Sequence, residues 1–223
     1  MTKRFLSPLS TDHVDFNRTN PSTDAPGRLR WDSEEGTLNI GMVPSNVVQQ
    51  IGMEFFIAKT NNLSGAIIPS GNVVMSTGSQ GDAITIAKAI GDGSIDPWRM
   101  LGIATNDIGI GSTDGLVTTQ GIVRDINTNG WNLGDLLYLS KTTPGQLTNV
   151  QPDAPGLRIP FARVIRKHSI TGRIYVRMSV PSKLGGTDTN VQFGTLSNGD
   201  VVTYNSTQGI WTNAQPSSGG GAT

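Results

Sequence analysis

The chain has two histidines, His13 and His168, and each is a candidate general base because an imidazole changes charge near neutral pH. A base needs a nucleophile beside it, and no Ser or Cys elbow accompanies either one. His13 falls in a polar leading segment and His168 in a predicted turn, so both read as surface residues. The run 91–96, GDGSID, has the spaced acids of a calcium loop. It lacks the third acid, the correctly placed glycine and the closing glutamate, and it reads as a turn. The glycine-rich run 107–115, DIGIGSTDG, would cradle a phosphate if a helix began behind it. Leu116-Val117-Thr118-Thr119 is strand-like instead, and no phosphate-loop Gly-Lys pair occurs. Catalytic, metal and cofactor sites are therefore expected to be none, and the protein is expected not to be an enzyme.

Two further sets of side chains could recognise a partner. Arg163, Arg166, Arg173 and Arg177, with Lys167, fall on two adjacent predicted strands and form a possible basic face toward an acidic surface. The plain alternative is a solvated sheet face. Trp98, Trp131, Trp211 and Tyr138 could stack on sugar rings, so a carbohydrate-binding β module is the alternative from another class. Aromatic residues make up only 6% of the chain, and no paired-carboxylate motif is evident, which weighs against that alternative. The triplets at Asn17, Asn62 and Asn205 fit the glycosylation pattern, as chance allows in a chain rich in Ser, Thr and Asn.

Composition sets the frame for these residues. The 28 glycines and 12 prolines among 223 residues point to a turn-rich all-β chain. Lys+Arg and Asp+Glu are 17 each, so the formal net charge is zero. That removes the electrostatic footprint of a non-specific nucleic-acid binder, and it suits a subunit of an assembly. Without cysteine there is neither a disulfide framework nor a thiolate metal site. No apolar run reaches signal-peptide or membrane-span length, so synthesis in a cytoplasm, with no membrane partner, is expected.

Short apolar runs between turn clusters dictate strands, because Gly, Asn and Asp accept turn dihedrals while bulky residues fill a pleated face. The clearest unit is 129–150, NGWNLGDLLYLSKTTPGQLTNV, and its grammar recurs at 70–78 and 198–211. Residues 1–26 read as an extended N-terminal arm. Its apolar residues Phe5, Leu6, Leu9, Val14 and Phe16 are expected to order on a neighbouring subunit, with Trp31 of the following hairpin as a further contact. Residues 27–49 read as a β-hairpin and link, with 44–50 linking. Residues 50–180 read as the main barrel or compact sandwich. Within it, 55–58 is a buried-strand candidate, Asn61-Asn62 a turn, and 67–69 a continuing strand. Alternation over 172–178 puts Ile174, Val176 and Met178 on one face and Arg173, Tyr175 and Arg177 on the other. Residues 181–190 read as a linker, 191–214 as a small β-hairpin unit, and 215–223 as a flexible tail. The hairpin unit has too few apolar residues to bury a core alone.

Three stretches, GRLRWDSEEGTLNIGM (27–42), GDLLYLSKTTPGQLTNVQPDAP (134–155) and RVIRKHSITGRIYVRM (163–178), resemble modules of tailed-bacteriophage virion proteins. The stretch SNGDVVTYNSTQGIWTNA (197–214) is similar to short hairpin units that decorate phage fibres. The resemblance implies a β-rich, non-enzymatic virion subunit, made in the bacterial host cytoplasm. It further implies a homotrimer that binds the major capsid protein or another virion protein. The expected role is capsid decoration, cement or a short head appendage, since no coiled-coil or β-helical shaft follows the hairpin unit. The alternative is the base or anchor segment of a tail or side fibre.

Overall fold

A computed structural model describes residues 12–16, 24–43, 47–153, 156–178 and 192–216, except for the side chains of Ala58 and Lys59. The contact candidates Phe5, Leu6 and Leu9 lie outside the described residues, as do 181–190 and 217–223. The chain is all-β and divides into two compact units, Met1–Ser179 and Val180–Thr223.

The first unit begins with a three-stranded antiparallel sheet: β1 (Leu29–Asp32), β2 (Thr37–Gly41) and β3 (Val48–Gln50), in that order. The first two form the expected hairpin. The third corrects the reading of 44–50 as a link, because Val48, Gln49 and Gln50 pair with Gly41, Ile40 and Asn39. Two glutamines hide a strand from a hydrophobic pattern, yet edge pairing needs only backbone.

The larger sheet has nine strands: β4 (Phe55–Asn62), β5 (Val73–Gln80), β6 (Ala83–Lys88), β7 (Met100–Ala104), β8 (Gly115–Ile126), β9 (Leu136–Leu139), β10 (Leu147–Thr148), β11 (Pro160–Arg166) and β12 (Gly172–Arg177). Their order is β10-β9-β11-β12-β8-β4-β6-β5-β7, and β7 also pairs with β8. That last pairing closes β8, β4, β6, β5 and β7 into a five-stranded ring. The strands β12, β11, β9 and β10 extend from it as an open wing.

Two apolar cores follow from this closure. Ile68, Val74, Ile86, Ala104, Ile108 and Val117 fill one. The other joins Val73 and Ile103 to Val123, Leu137, Leu139, Val164, Ile174 and Val176. Neighbours in one strand serve opposite cores: Val73 and Ile103 go to one, Val74 and Ala104 to the other. A strand buried on both faces must be apolar at consecutive positions, which is why β5 and β7 show runs rather than alternation. Gly102 lets β7 and β8 meet closely, since a Cβ there would lie 2.2 Å from the Thr118 carbonyl oxygen.

Three local expectations change. Phe55 is exposed, not buried, and β4 runs on through Asn61 and Asn62 where a turn was read. Asn62 is buried because its amide replaces missing loop partners. Its Nδ2 donates to Ala66 O and Ile108 O, and its Oδ1 accepts from Ser64 N. Both ends of the Asn62 amide are thus engaged, so this glycosylation triplet offers no free acceptor. Residues 67–69 supply one isolated bridge, Ile68 to Ile108, rather than a strand.

The second unit is a hairpin of β13 (Val201–Asn205) and β14 (Ile210–Ala214). Residues 192–194 run beside β14, with Gln192 N donating to Trp211 O and Gly194 N to Asn213 Oδ1. None of its described residues is fully buried.

Candidate functional site

The outer face of the wing carries the arginines of β11 and β12. The β11–β12 pairing sets Ala162 against Val176 and Val164 against Ile174 on the core side, with Arg163 against Tyr175 on the outside. The expected alternation of β12 is therefore observed: Ile174 and Val176 are buried, while Arg173, Tyr175 and Arg177 face outward.

One end of this face is occupied by the chain's own acidic turn. Asp32 Oδ1 accepts the backbone N–H groups of Glu34 and Glu35, at 3.0 and 3.3 Å, and so shapes the β1–β2 turn. Burial works to raise the pKa of Asp32, but these two N–H groups and the Arg30 guanidinium outweigh it and hold the pKa below the usual carboxylate value. The turn presents Glu35, whose Oε1 accepts from Arg173 Nη1 at 2.6 Å. Its Oε2 lies 3.6 Å from Arg124 Nη2.

Arg124 also donates through Nη1 to Glu54 Oε1 at 2.8 Å. The Glu54 side chain is 0% exposed. A buried carboxylate needs several partners to offset lost hydration, and Glu54 has them. Oε1 accepts Ile122 N at 3.1 Å and Oε2 accepts Gln50 N at 2.7 Å. It lies against Gly121, where an added Cβ would fall 2.5 Å from Glu54 Cγ. Gly121 has φ +127°, in the region that disfavours side chains, so both backbone and space demand glycine. The chain Glu35–Arg173 and Glu35–Arg124–Glu54 thus joins the small sheet to the large one.

The sequence reading named Arg173 and missed Glu35, Glu54 and Arg124. Two signals were present. Glu54 is a lone acid between apolar residues, and Gly121 is a lone glycine inside a strand, which marks close approach.

The other end of the face is open. In register across four strands stand Leu136, Arg163, Tyr175 and Ile122. The next row is Arg177, Gln120 and Phe55. A groove of about 410 Å³ lies here, lined by Leu136, Ile159, Pro160, Arg163, Tyr175 and Arg177. Arg163 and Arg177 have no hydrogen bond or ion pair among the described residues. Arg166 stands opposite Arg173 in register and is exposed. Of the four arginines read as a basic face, Arg173 is neutralised within the chain. Arg163 and Arg177 meet at the groove.

The remaining candidates sit apart. Val14 is exposed, Phe16 and Trp31 are half-buried. His13 is exposed beside Asp15. His168 Nδ1 accepts the backbone N–H groups of Ile170 and Thr171, both at 3.0 Å, and so caps the β11–β12 turn. Asp92 accepts from Ser94 N and Oγ, and these bonds hold its carboxyl below the ordinary range. Asp96 accepts from Trp98 N at the start of the 3-10 turn Pro97–Arg99. Among the described residues, no three His, Asp or Glu side chains are grouped to hold a metal.

Tyr138 is buried, Trp131 packs partly against a core, and Trp98 is 64% exposed. Among the described residues one ring pair occurs, Tyr204 with Trp211, at 5.3 Å between centroids. Compared with family models, curated proteins and solved structures, the chain matches none.

Proposed function

We propose that the protein is a non-enzymatic structural subunit of a bacteriophage virion, decorating or cementing the capsid or forming a short head appendage. It works by fitting surfaces against copies of itself, as a homotrimer, and against the major capsid protein or another virion protein. The observation that carries the reading is the second unit. Its apolar side chains Val201, Val202, Tyr204 and Trp211 are between 44% and 53% exposed on the two strands, and none of the unit's other described residues forms a second layer over them. An isolated two-stranded hairpin is marginal in water, because it orders more chain than its apolar burial can offset. Such a unit gains stability when another surface covers it. The resemblance of 27–42, 134–155, 163–178 and 197–214 to phage virion modules supplies the setting.

A subunit that binds only the assembled shell stabilises that shell by linkage and requires no bond chemistry. The test is imaging of purified particles with and without this protein. Density spread over the shell supports decoration, and density at one vertex moves the assignment to a fibre base. Absence from the particle overturns the reading.

A further inference from the structure

One sheet face carries two pairs of arginines with opposite fates. Arg124 and Arg173 are covered by the acidic turn 32–36, through Glu35. Arg163 on β11 and Arg177 on β12 stand on the same sheet face, at the groove, with no partner among the described residues. Around them are Leu136, Tyr175 and Phe55, of which Leu136 and Phe55 are exposed.

We propose that this groove is the docking site for an acidic segment of another protein chain, whose carboxylates pair with Arg163 and Arg177 while an adjoining apolar side chain packs on Tyr175 and Leu136. The argument rests on charge complementarity and on the precedent within the molecule. The face already accepts one acidic turn in this manner, with a 2.6 Å bond from Arg173. A guanidinium offers a planar fork of donors that fits a carboxylate, and two of them lining a groove with Tyr175 and Leu136 select a charged group with an apolar neighbour. The β8 members of the two rows, Ile122 and Gln120, bring no like or opposing charge. A highly charged polymer such as nucleic acid favours a longer basic track, whereas the groove presents two arginines beside apolar residues.

The inference shares with the assembly reading only the idea that the partner is a protein. A peptide experiment reads the groove alone, whereas particle imaging reads the assembly, so each fails separately.

The probe is a fluorescein-labelled peptide carrying the chain's own turn, Trp-Asp-Ser-Glu-Glu-Gly-Thr, with a twin in which Asn and Gln replace the acids. Binding to the full chain is followed by fluorescence anisotropy at low ionic strength. The acidic peptide is expected to bind and the neutral twin not to. The double substitution Arg163→Gln/Arg177→Gln is expected to weaken binding at least about tenfold, as loss of two charge-assisted contacts implies. Arg99→Gln, which removes one exposed charge elsewhere, is expected to change it by less than about twofold. Circular dichroism of each variant reports that the fold is kept. Equal binding of the twin, an equal loss with Arg99→Gln, or no effect of the double substitution overturns the proposal. So does Arg163-dependent capture of heparin or an oligothymidylate by a protein that ignores the peptide.

Discussion

The body of the first unit and the hairpin of the second use the same local grammar and reach different ends. In both, a Gly- or Asn-containing turn launches a short apolar strand. In the body, Val73 and Val74 each find a core, one on either side of the strand. In the hairpin, Val201 and Val202 each find solvent. The difference lies in layers. A strand's apolar residues are buried only where a second layer or a closed ring stands against them. The ring closed by β7 and β8 supplies both to the body. The described residues of the hairpin unit have neither.

That contrast breaks or sharpens under substitution. The largest effect is expected in the ion chain of the body. Arg124→Met leaves Glu54 buried without its cation and should cost about 3–5 kcal/mol in urea unfolding. A loss below about 1 kcal/mol would mean that the chain is ornamental. Next comes Ile86→Ala, which empties a fully buried site and should cost about 2–5 kcal/mol. In the hairpin, Trp211→Ser should leave the body's unfolding within about 0.5 kcal/mol. The same substitution should weaken self-association, measured by sedimentation. If it instead lowered the body's stability as Ile86→Ala does, the two regions would not be energetically separate.

The smallest effect concerns pH. Backbone N–H of Ser197, then the side chains of Asn213 and Gln215, hold the Asp200 carboxyl below its ordinary value of 3.8. A depressed folded pKa contributes stability that is fully present above 3.8 and is lost as pH falls through the folded value. The side-chain amide NMR signal of Asn213 should therefore shift on acidification below that point. In Asp200→Asn this shift should be absent, while signals near Asp135, held down by its bond from Asn132 N–H and then Asn149, should still move.

Much of the fold was legible from local pattern. The all-β class, the strands β7, β9, β11 and β12, and the two faces of β12 follow from turn residues and alternation. The candidate site was legible only in Arg163, Arg166, Arg173 and Arg177, and not in Arg124. Arg163, Arg173 and Arg177 looked equivalent because strand alternation gives a face but not what covers it. Glu35 lies 138 residues from Arg173, and no local pattern joins them. The strand β3 escaped notice because its glutamines carry no apolar signal, and the strand end at Asn61-Asn62 because buried amides mimic a turn.

The sequence by itself determined the all-β class, the positions of β7, β9, β11 and β12 and which side chains of β12 share a face, since turn dihedrals and the two-residue pleat are local properties. It also determined that no cysteine chemistry is available and that charge is balanced overall. Only the tertiary structure decided that β7 closes on β8, that two cores share the β5 and β7 strands, and which arginines are already paired. Those outcomes depend on contacts between residues far apart in the chain, where ring closure and the reach of one carboxylate select among partners that local pattern leaves equal.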